Sequence, residues 1–167
     1  MLMALLCQAV AFAQHSPDFA EKFMTLCSND STVKCITVSP KMMEQLVRLH
    51  EDSRSDNIVQ AIGKLKSARI VTGSACYYQK AIELIARNKS RFIAGKDYQT
   101  EEEQGAFFTR KNKKGDTVEF IMLHADIAGN KFTIVNLTGD IDDEFLCFLF
   151  NNKTFQGLKQ SRKMARL

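Results

Sequence analysis

The chain has 167 residues, of which 45% are hydrophobic and 25% charged, with two prolines, eight glycines and a net charge of +4. This length and composition predict one globular domain with its own core, and they exclude disordered, collagen-like and two-domain architectures. Much of the positive charge lies in two short segments, residues 110–114 and 153–166, so the rest of the chain is acidic and a basic nucleic-acid-binding face is not expected.

The first segment of the chain is apolar and uncharged. Residues 1–13 end in Ala11-Phe12-Ala13, the pattern that precedes signal-peptide cleavage. The run is shorter than the roughly 20 residues that a membrane-spanning helix needs, so no transmembrane span is expected in the mature chain. We predict a signal peptide over 1–13 and an exported, periplasmic or envelope-associated protein. The basic residues typical of a signal peptide's start are absent, which leaves a buried N-terminal helix as the alternative.

Helices and strands alternate in the first half of the mature chain. Ser16-Pro17-Asp18 predicts the start of an amphipathic helix that carries Phe19 and Phe23 on one face. β-Branched residues predict strands over 32–38 and 68–72. Apolar residues at helical spacing predict helices after Ser39-Pro40, over 58–65 and from Gly73-Ser74 to about residue 88.

The second half of the chain changes to an alternating pattern. We predict strands over 92–98, 105–110, 117–125 and 131–137, with glycine-containing turns that favour antiparallel hairpins. Acidic residues over 140–144 then begin a last helix. The sequence therefore predicts an α+β domain over 14–150, a two-layer fold in which an antiparallel β-meander of about five or six strands is backed by helices, followed by a basic polar tail over 151–167.

Three motifs resemble a known family. They are Val38-Ser39-Pro40-Lys41-Met42-Met43, Leu65-Lys66-Ser67-Ala68-Arg69-Ile70, and residues 132–137 followed by Thr138-Gly139-Asp140-Ile141-Asp142. Over about residues 19–150 the chain resembles the family called domain of unknown function 4252. The resemblance implies a small exported envelope protein of Bacteroidota, with no established activity.

Two neighbouring predicted strands have apolar residues on both faces. The candidate binding face consists of Val118, Phe120, Met122, Phe132 and Ile134. Helices on one side of the sheet would leave the other face exposed, and an exposed apolar patch usually marks a binding surface. The expected partner is then another envelope protein, a second copy of the chain or an apolar ligand. The alternative is that the first or last helix covers this face.

Catalytic chemistry has little support in the sequence. No nucleophile elbow, phosphate-binding glycine loop or zinc-ligand spacing occurs, so we expect no catalytic residues, no metal and no cofactor. Cys76 at a predicted helix start is the best enzymatic candidate, because the helix dipole lowers the pKa of a thiol there. The sequence thus favours a non-catalytic binding or interaction protein, with a Cys-dependent enzyme as a minor alternative.

The cysteines and two short motifs suggest covalent modification. Cys27 and Cys35 are the local candidates for a disulfide, and the alternative is that the cysteines of the mature chain are buried apolar residues. Asp30-Ser31-Thr32 and Asp116-Thr117-Val118 resemble the O-glycosylation sequon of Bacteroidota envelope proteins. Ser31 and Thr117 are therefore candidate O-glycosylation sites.

A second class of function applies if the chain is not exported. Phe107 or Phe108, Phe120 and Phe132 would be stacking platforms for single-stranded nucleic acid, and the basic residues over 110–114 would contact phosphates. The strands lack the basic and aromatic interleaving of known RNA-binding motifs. We expect no nucleic-acid partner for the exported protein.

Overall fold

The computed structural model describes residues 17–49 and 56–151. The helices are α1 (Phe19–Leu26), α2 (Pro40–Leu49), α3 (Asp56–Gly63), α4 (Tyr77–Arg87) and α5 (Asp143–Asn151). The strands are β1 (Lys34–Val38), β2 (Leu65–Gly73), β3 (Ile93–Gln99), β4 (Glu103–Lys111), β5 (Thr117–Asp126) and β6 (Lys131–Ile141). The predicted signal peptide lies outside the described residues, as does the predicted tail beyond residue 151. No described helix is long and apolar enough to cross a bilayer.

The strands form one six-stranded sheet in the order β1-β2-β6-β5-β4-β3. Every neighbouring pair is antiparallel, and β3 to β6 follow one another as a meander. β2 pairs with β6 on the other side of the meander, which leaves β1 and β3 at the edges. The predicted α+β fold with an antiparallel meander backed by helices is confirmed.

Helices α1 and α4 cover one face of the sheet, called here the α1/α4 face. Phe19 and Phe23 of α1 are fully buried against inward side chains of β2, β5 and β6. The ring centroids of Phe23 and Phe132 are 5.7 Å apart. Burying aromatic side chains of this size stabilises a fold by about 1.5–3 kcal/mol each, so this cluster fixes α1 on the sheet.

Helices α3 and α5, with one side of α2, cover the opposite face, called here the α3/α5 face. Ile62 of α3 and Phe145 of α5 pack with Phe120 and Leu137 of the central strands. The helices therefore form layers on both faces rather than on one. The reason is the apolar character of both faces of β5 and β6, which each need cover from water.

A buried polar network fastens the N-terminus of α1 to the sheet. The Glu119 carboxylate accepts hydrogen bonds from the Phe19 N–H at 2.7 Å, from Asn136 Nδ2 at 3.1 Å and from Arg110 Nε at 2.6 Å. Asn136 Oδ1 accepts from the Ala20 N–H at 2.9 Å. The first N–H groups of a helix have no partner within the helix, and here two of them bind side chains of the sheet instead.

The same helix end has its own cap. Asp18 is the N-cap and forms a reciprocal capping box with Glu21. Arg69 of β2 forms ion pairs with both carboxylates. The sequence pattern, a cap followed by Pro17 as the first helical residue, predicts a start two residues earlier than the observed one at Phe19. The arginine that joins the cap to the sheet comes from a distant strand.

Gly139 allows β6 to pass very close to β2. Its φ is +140°, and a Cβ at this position would lie 2.6 Å from the Leu65 Cα. The pairing of β2 with β6 is irregular between Leu65 and Ser67, next to this contact. Only glycine combines this backbone conformation with such a short approach.

Candidate functional site

A groove lies between α4 and the strands β3 and β4. Its volume is about 630 Å³. Its lining consists of Tyr78, Gln79 and Ile82 from α4, and Ala94, Gly95, Asp97, Tyr98, Gln99, Gln104, Gly105, Ala106, Phe107 and Phe108 from the two strands. The volume falls within the range of sites that bind a small molecule or a few residues of a peptide.

The pairing of β3 with β4 contains a β-bulge beside the groove. Their pairing register shifts between Ala94 and Asp97, so β3 has one residue more than β4 over this stretch. Gly95 lies in the bulge, and a Cβ there would be 3.3 Å from the Phe107 carbonyl oxygen. Bulges bend an edge strand and interrupt its ladder, which opens space beside the strand.

Gly105 lets an aromatic ring lie directly on the backbone of β4. A Cβ at this glycine would be 2.5 Å from Cε1 of Tyr98. The Tyr98 hydroxyl is 2.7 Å from Nδ1 of His124, with which it shares a hydrogen bond. Burial, with a smaller contribution from the negative charge of Glu103, raises the pKa of Tyr98 to about 12. Tyr98 is therefore neutral at physiological pH and its ring is held in place.

Neutral polar groups dominate the rest of the lining. Tyr78 packs edge-on against Phe132, with ring centroids 6.3 Å apart. Burial, and then the charge of Asp97, raises the pKa of Tyr78, so this hydroxyl also stays protonated. Gln79 and two further glutamines in the lining offer amide donors and acceptors. The groove can hydrogen-bond an uncharged polar chain and pack against its apolar parts.

The N-terminal end of α4 is fastened to the loop that follows α1. The Tyr77 hydroxyl donates a hydrogen bond to the Asp30 carboxylate. Thr32 also donates to Asp30, and these bonds lower the pKa of Asp30 to about 2. The bond to Asp30 raises the pKa of Tyr77 to about 12. Ser74 Oγ donates to Asn130 Oδ1 at 2.7 Å, so the helix is held from two sides.

The five residues of the predicted binding face do not share a face. Phe120 and Met122 are buried in the cluster under α3 and α5, with Val118 half-buried in the same strand. Phe132 and Ile134 are buried on the α1/α4 face. The expectation of one exposed face is thus corrected, because the β5–β6 register pairs Leu123 with Ile134 and so places the two sets on opposite sides. The alternative expectation, that the first or last helix covers the apolar face, fits the structure, because α1 packs on one face and α5 on the other.

The four cysteines within the described residues are free thiols. Cys27 is buried at the end of α1, whereas Cys35 is exposed on β1. The candidate Cys27–Cys35 disulfide is therefore absent from the structure. The alternative of buried thiols holds for Cys27 but not for Cys35, Cys76 or Cys147, which are exposed.

The two candidate O-glycosylation sites differ in exposure. Ser31 is exposed in the turn before β1. Thr117 is 5% exposed at the start of β5. A glycosyltransferase cannot reach a side chain buried to this extent in the folded chain, so Thr117 is removed as a candidate and Ser31 remains a prediction.

Neither functional alternative finds its residues assembled. Phe120 and Phe132 are fully buried and cannot stack on bases. Cys76 precedes α4, on the α1/α4 side of the sheet. His124, the one histidine within the described ranges, lies between Leu123 and Ala125 of that face and is therefore on the opposite face. Over residues 17–49 and 56–151, no group of three or more His, Cys, Asp and Glu side chains is placed to hold a metal ion.

Sequence reasoning missed the groove residues. Tyr78 lies in a predicted helix and Tyr98 in a predicted strand, and no local pattern indicates that both border one groove. The available signals were two isolated glycines: Gly95 inside the predicted strand 92–98, and Gly105 at the start of the predicted strand 105–110. Such glycines mark bulges and close approaches.

A family model described as Domain of unknown function (DUF4252) matches residues 23–146. This is most of the chain, and the chain therefore belongs to that family, as its three motifs indicated. No curated protein matches the sequence.

Proposed function

We propose that this DUF4252 protein is a non-catalytic, exported binding protein of the cell envelope, and that the groove between α4 and β3–β4 holds an extended segment of a partner protein. The observation that carries the proposal is the groove itself, a cleft of about 630 Å³ beside an edge strand. Concave sites with a few convergent polar groups are the usual places where proteins bind ligands.

The edge strand explains the choice of an extended protein segment. β3 pairs with β4 on one side and is last in the sheet order, and most of its residues are exposed. The free edge of such a strand offers N–H and C=O groups to an added strand, while an adjacent groove accepts alternate side chains. The amides of Gln79 and Gln104 would satisfy polar atoms of the segment that do not pair with β3.

The lining supports binding rather than reaction. Tyr78 has a raised pKa and remains a neutral donor at physiological pH. Tyr98 is also neutral, but its hydroxyl is bound to His124 on the opposite face of the sheet. Asp97 is the carboxylate in the lining, and no cysteine or serine lies there. Nucleophilic catalysis needs a nucleophile beside a base, and the lining supplies no such pair.

A peptide-display experiment tests the groove. A random-peptide phage library is selected on the full chain, and the selected peptides are then measured on three proteins: wild type, Gln79→Arg and Glu83→Arg. Gln79 lines the groove, whereas Glu83, one turn further along α4, is exposed outside it. We expect Gln79→Arg to weaken binding by about tenfold or more, because a long charged side chain fills the cleft, and Glu83→Arg to leave it unchanged.

Two results would contradict the groove as a binding site: selection yields no peptide with saturable binding, or the peptides bind both variants equally.

Export is tested separately. The intact mass of the protein from an envelope fraction of the native host should correspond to a chain beginning at Gln14. An uncleaved chain in the cytosol would refute export while leaving the peptide result as it stands. A mass increment on the cleaved chain would report modification at Ser31.

A further inference from the structure

The lining of the groove contains one charged side chain, that of Asp97 on β3. Asp97 pairs with Ala106 of β4, and Ala106 pairs in turn with Leu123, a core residue of the α1/α4 face. Residues that pair directly across neighbouring strands point to the same face of a sheet. The Asp97 side chain therefore lies on the α1/α4 face, at the edge strand that borders the groove.

The Asp97 carboxylate is available to a ligand. Its side chain is exposed, and over residues 17–49 and 56–151 it accepts no hydrogen bond and forms no ion pair. The hydroxyl of Tyr78, which borders the same groove from α4, also has no hydrogen-bond partner over these residues. Burial, and then the charge of Asp97, raises the pKa of Tyr78. Two oxygen acceptors thus face one cleft from opposite sides.

The β3–β4 turn adds negative charge at one end of the groove. Gln99 and Gln104, which both line the groove, pair with each other next to this turn. The turn itself carries Glu101 and Glu102, whose side chains are exposed. A cationic group that enters the groove therefore meets a field of favourable sign.

The neighbouring lysines are not part of the lining. Lys80 of α4 has its Nζ 5.2 Å from the ring centroid of Tyr77, whose hydroxyl binds Asp30 in the loop after α1. Lys96 in the β-bulge is exposed, does not line the groove and forms no ion pair with Asp97 in the described part of the chain. The lining thus has one negative charge and no positive charge.

A strand added to β3 would place one of its side chains directly beside Asp97. The residue that pairs with Asp97 points to the same face, with the two Cβ atoms about 4.5–5.5 Å apart. Opposite charges at such a position attract, and like charges repel. The guanidinium of an arginine has five donors and an ammonium group has three, so donors remain for the Tyr78 hydroxyl and the Gln79 amide oxygen that border the same groove.

We infer that the groove selects protein segments with an arginine or lysine at the position opposite Asp97, and that Asp97 determines this specificity. The inference rests on the proposed function, because it names the class of segment that the groove holds. Two residues further along the segment, the side chain opposite Gln99 lies on the same face and meets an uncharged amide. The preference for a basic residue is therefore confined to one position.

The test uses the peptides that phage selection on the full chain recovers. Each is synthesised with its basic residue and with a neutral substitute of similar size, citrulline for arginine or norleucine for lysine. Isothermal titration calorimetry measures their binding to wild type, Asp97→Asn and Asp140→Asn. Asp140 is an exposed aspartate near the end of β6, a strand that does not border the groove, so the two variants remove the same charge by the same chemical change.

We expect the recovered peptides to share one arginine or lysine position. Asp97→Asn should weaken their binding about fivefold, and Asp140→Asn should leave it unchanged. The neutral peptide should bind wild type about fivefold more weakly, and Asp97→Asn should not weaken it further, because the two groups act as one pair. Peptides without a common basic position, equal effects of the two aspartate substitutions, or independent effects of the protein and peptide changes would overturn the inference.

The same measurements separate this inference from the proposed function. Peptides that bind saturably and are weakened by Gln79→Arg, but not by Asp97→Asn, would overturn the specificity of Asp97 and leave the groove as the binding site. If selection yields no peptide with saturable binding, both the groove and its specificity are refuted.

Discussion

Substituting Glu119 by Gln tests whether one buried carboxylate fixes α1 to the sheet. Its side chain is 2% exposed and that of Arg110 is 24% exposed, so the ion pair is largely shielded from water. Gln keeps the size and an acceptor for the Phe19 N–H, but its NH₂ group or neutral oxygen replaces the carboxylate oxygen that faces Arg110. Breaking a buried pair by removing one partner costs about 3–5 kcal/mol, and the partial exposure of Arg110 reduces this to roughly 2–3 kcal/mol.

The assay is thermal and urea unfolding followed by circular dichroism. For a domain of this size the loss corresponds to a fall in Tm of roughly 6–10 °C. Lys64→Met is the control, because it breaks the exposed Lys64–Asp142 pair, whose side chains are 49% and 41% exposed. Exposed pairs contribute about 0–1 kcal/mol, so the control should change Tm little. Equal stability losses for the two variants would refute the assignment of an anchoring role to Glu119.

Three further predictions concern titration and backbone shape. The phenolic groups of Tyr77 and Tyr98 should ionise near pH 12 in the folded protein, against about 10 in denaturant, as absorbance at the tyrosinate band would report; ionisation of both in native protein near pH 10 would contradict their hydrogen bonding and burial. Since the hydrogen bonds from Thr32 and Tyr77 lower the pKa of Asp30 to about 2, its stabilising effect is present above about pH 4 and is lost as the pH falls towards 2; acid titration of Asp30→Asn should therefore show a smaller stability loss than wild type in that window, and an unchanged profile would argue against these bonds. Gly139→Ala should destabilise the fold by about 2–4 kcal/mol in urea unfolding, because its Cβ would meet the backbone of β2, whereas Gly63→Ala, with nothing within 4 Å, should be nearly neutral; similar effects at both positions would mean that the close strand approach is absent.

Local patterns predicted the elements because the relevant signals are local. The predicted strand over 117–125 is observed as Thr117–Asp126, and the helix opened by Ser16-Pro17-Asp18 begins at Phe19. The glycine-containing turns joined neighbouring strands as hairpins. Alternation and capping depend on residues a few positions apart, and a single sequence displays them directly.

Contacts between distant residues account for what was missed. Glu119 sits in an alternating strand pattern as a polar residue, which suggests a solvent-facing position. Its partner Phe19 is 100 residues away in the chain, so nothing nearby indicates that the carboxylate is buried. The placement of β2 beside β6 is equally non-local. Phe132 and Ile134 lie on the opposite face from Phe120 because of the β5–β6 register, which neither strand shows alone.

The groove lies on the α1/α4 side of the sheet for a geometric reason. Six strands at about 4.8 Å spacing make a sheet roughly 25 Å wide, whereas two helices about 10 Å across cover roughly 20 Å. On the α1/α4 face, α1 contacts β2 and β6 while α4 contacts β5, so cover is densest over the centre and thinnest over the outer part of β4 and over β3. Side chains of β3 and β4 that in a narrower sheet would be core residues therefore border solvent, and on this face these positions carry aspartate, glutamine and arginine. Mutations under the centre should act on stability, whereas mutations at Gln79 should change binding and leave the unfolding free energy within about 0.5 kcal/mol of wild type.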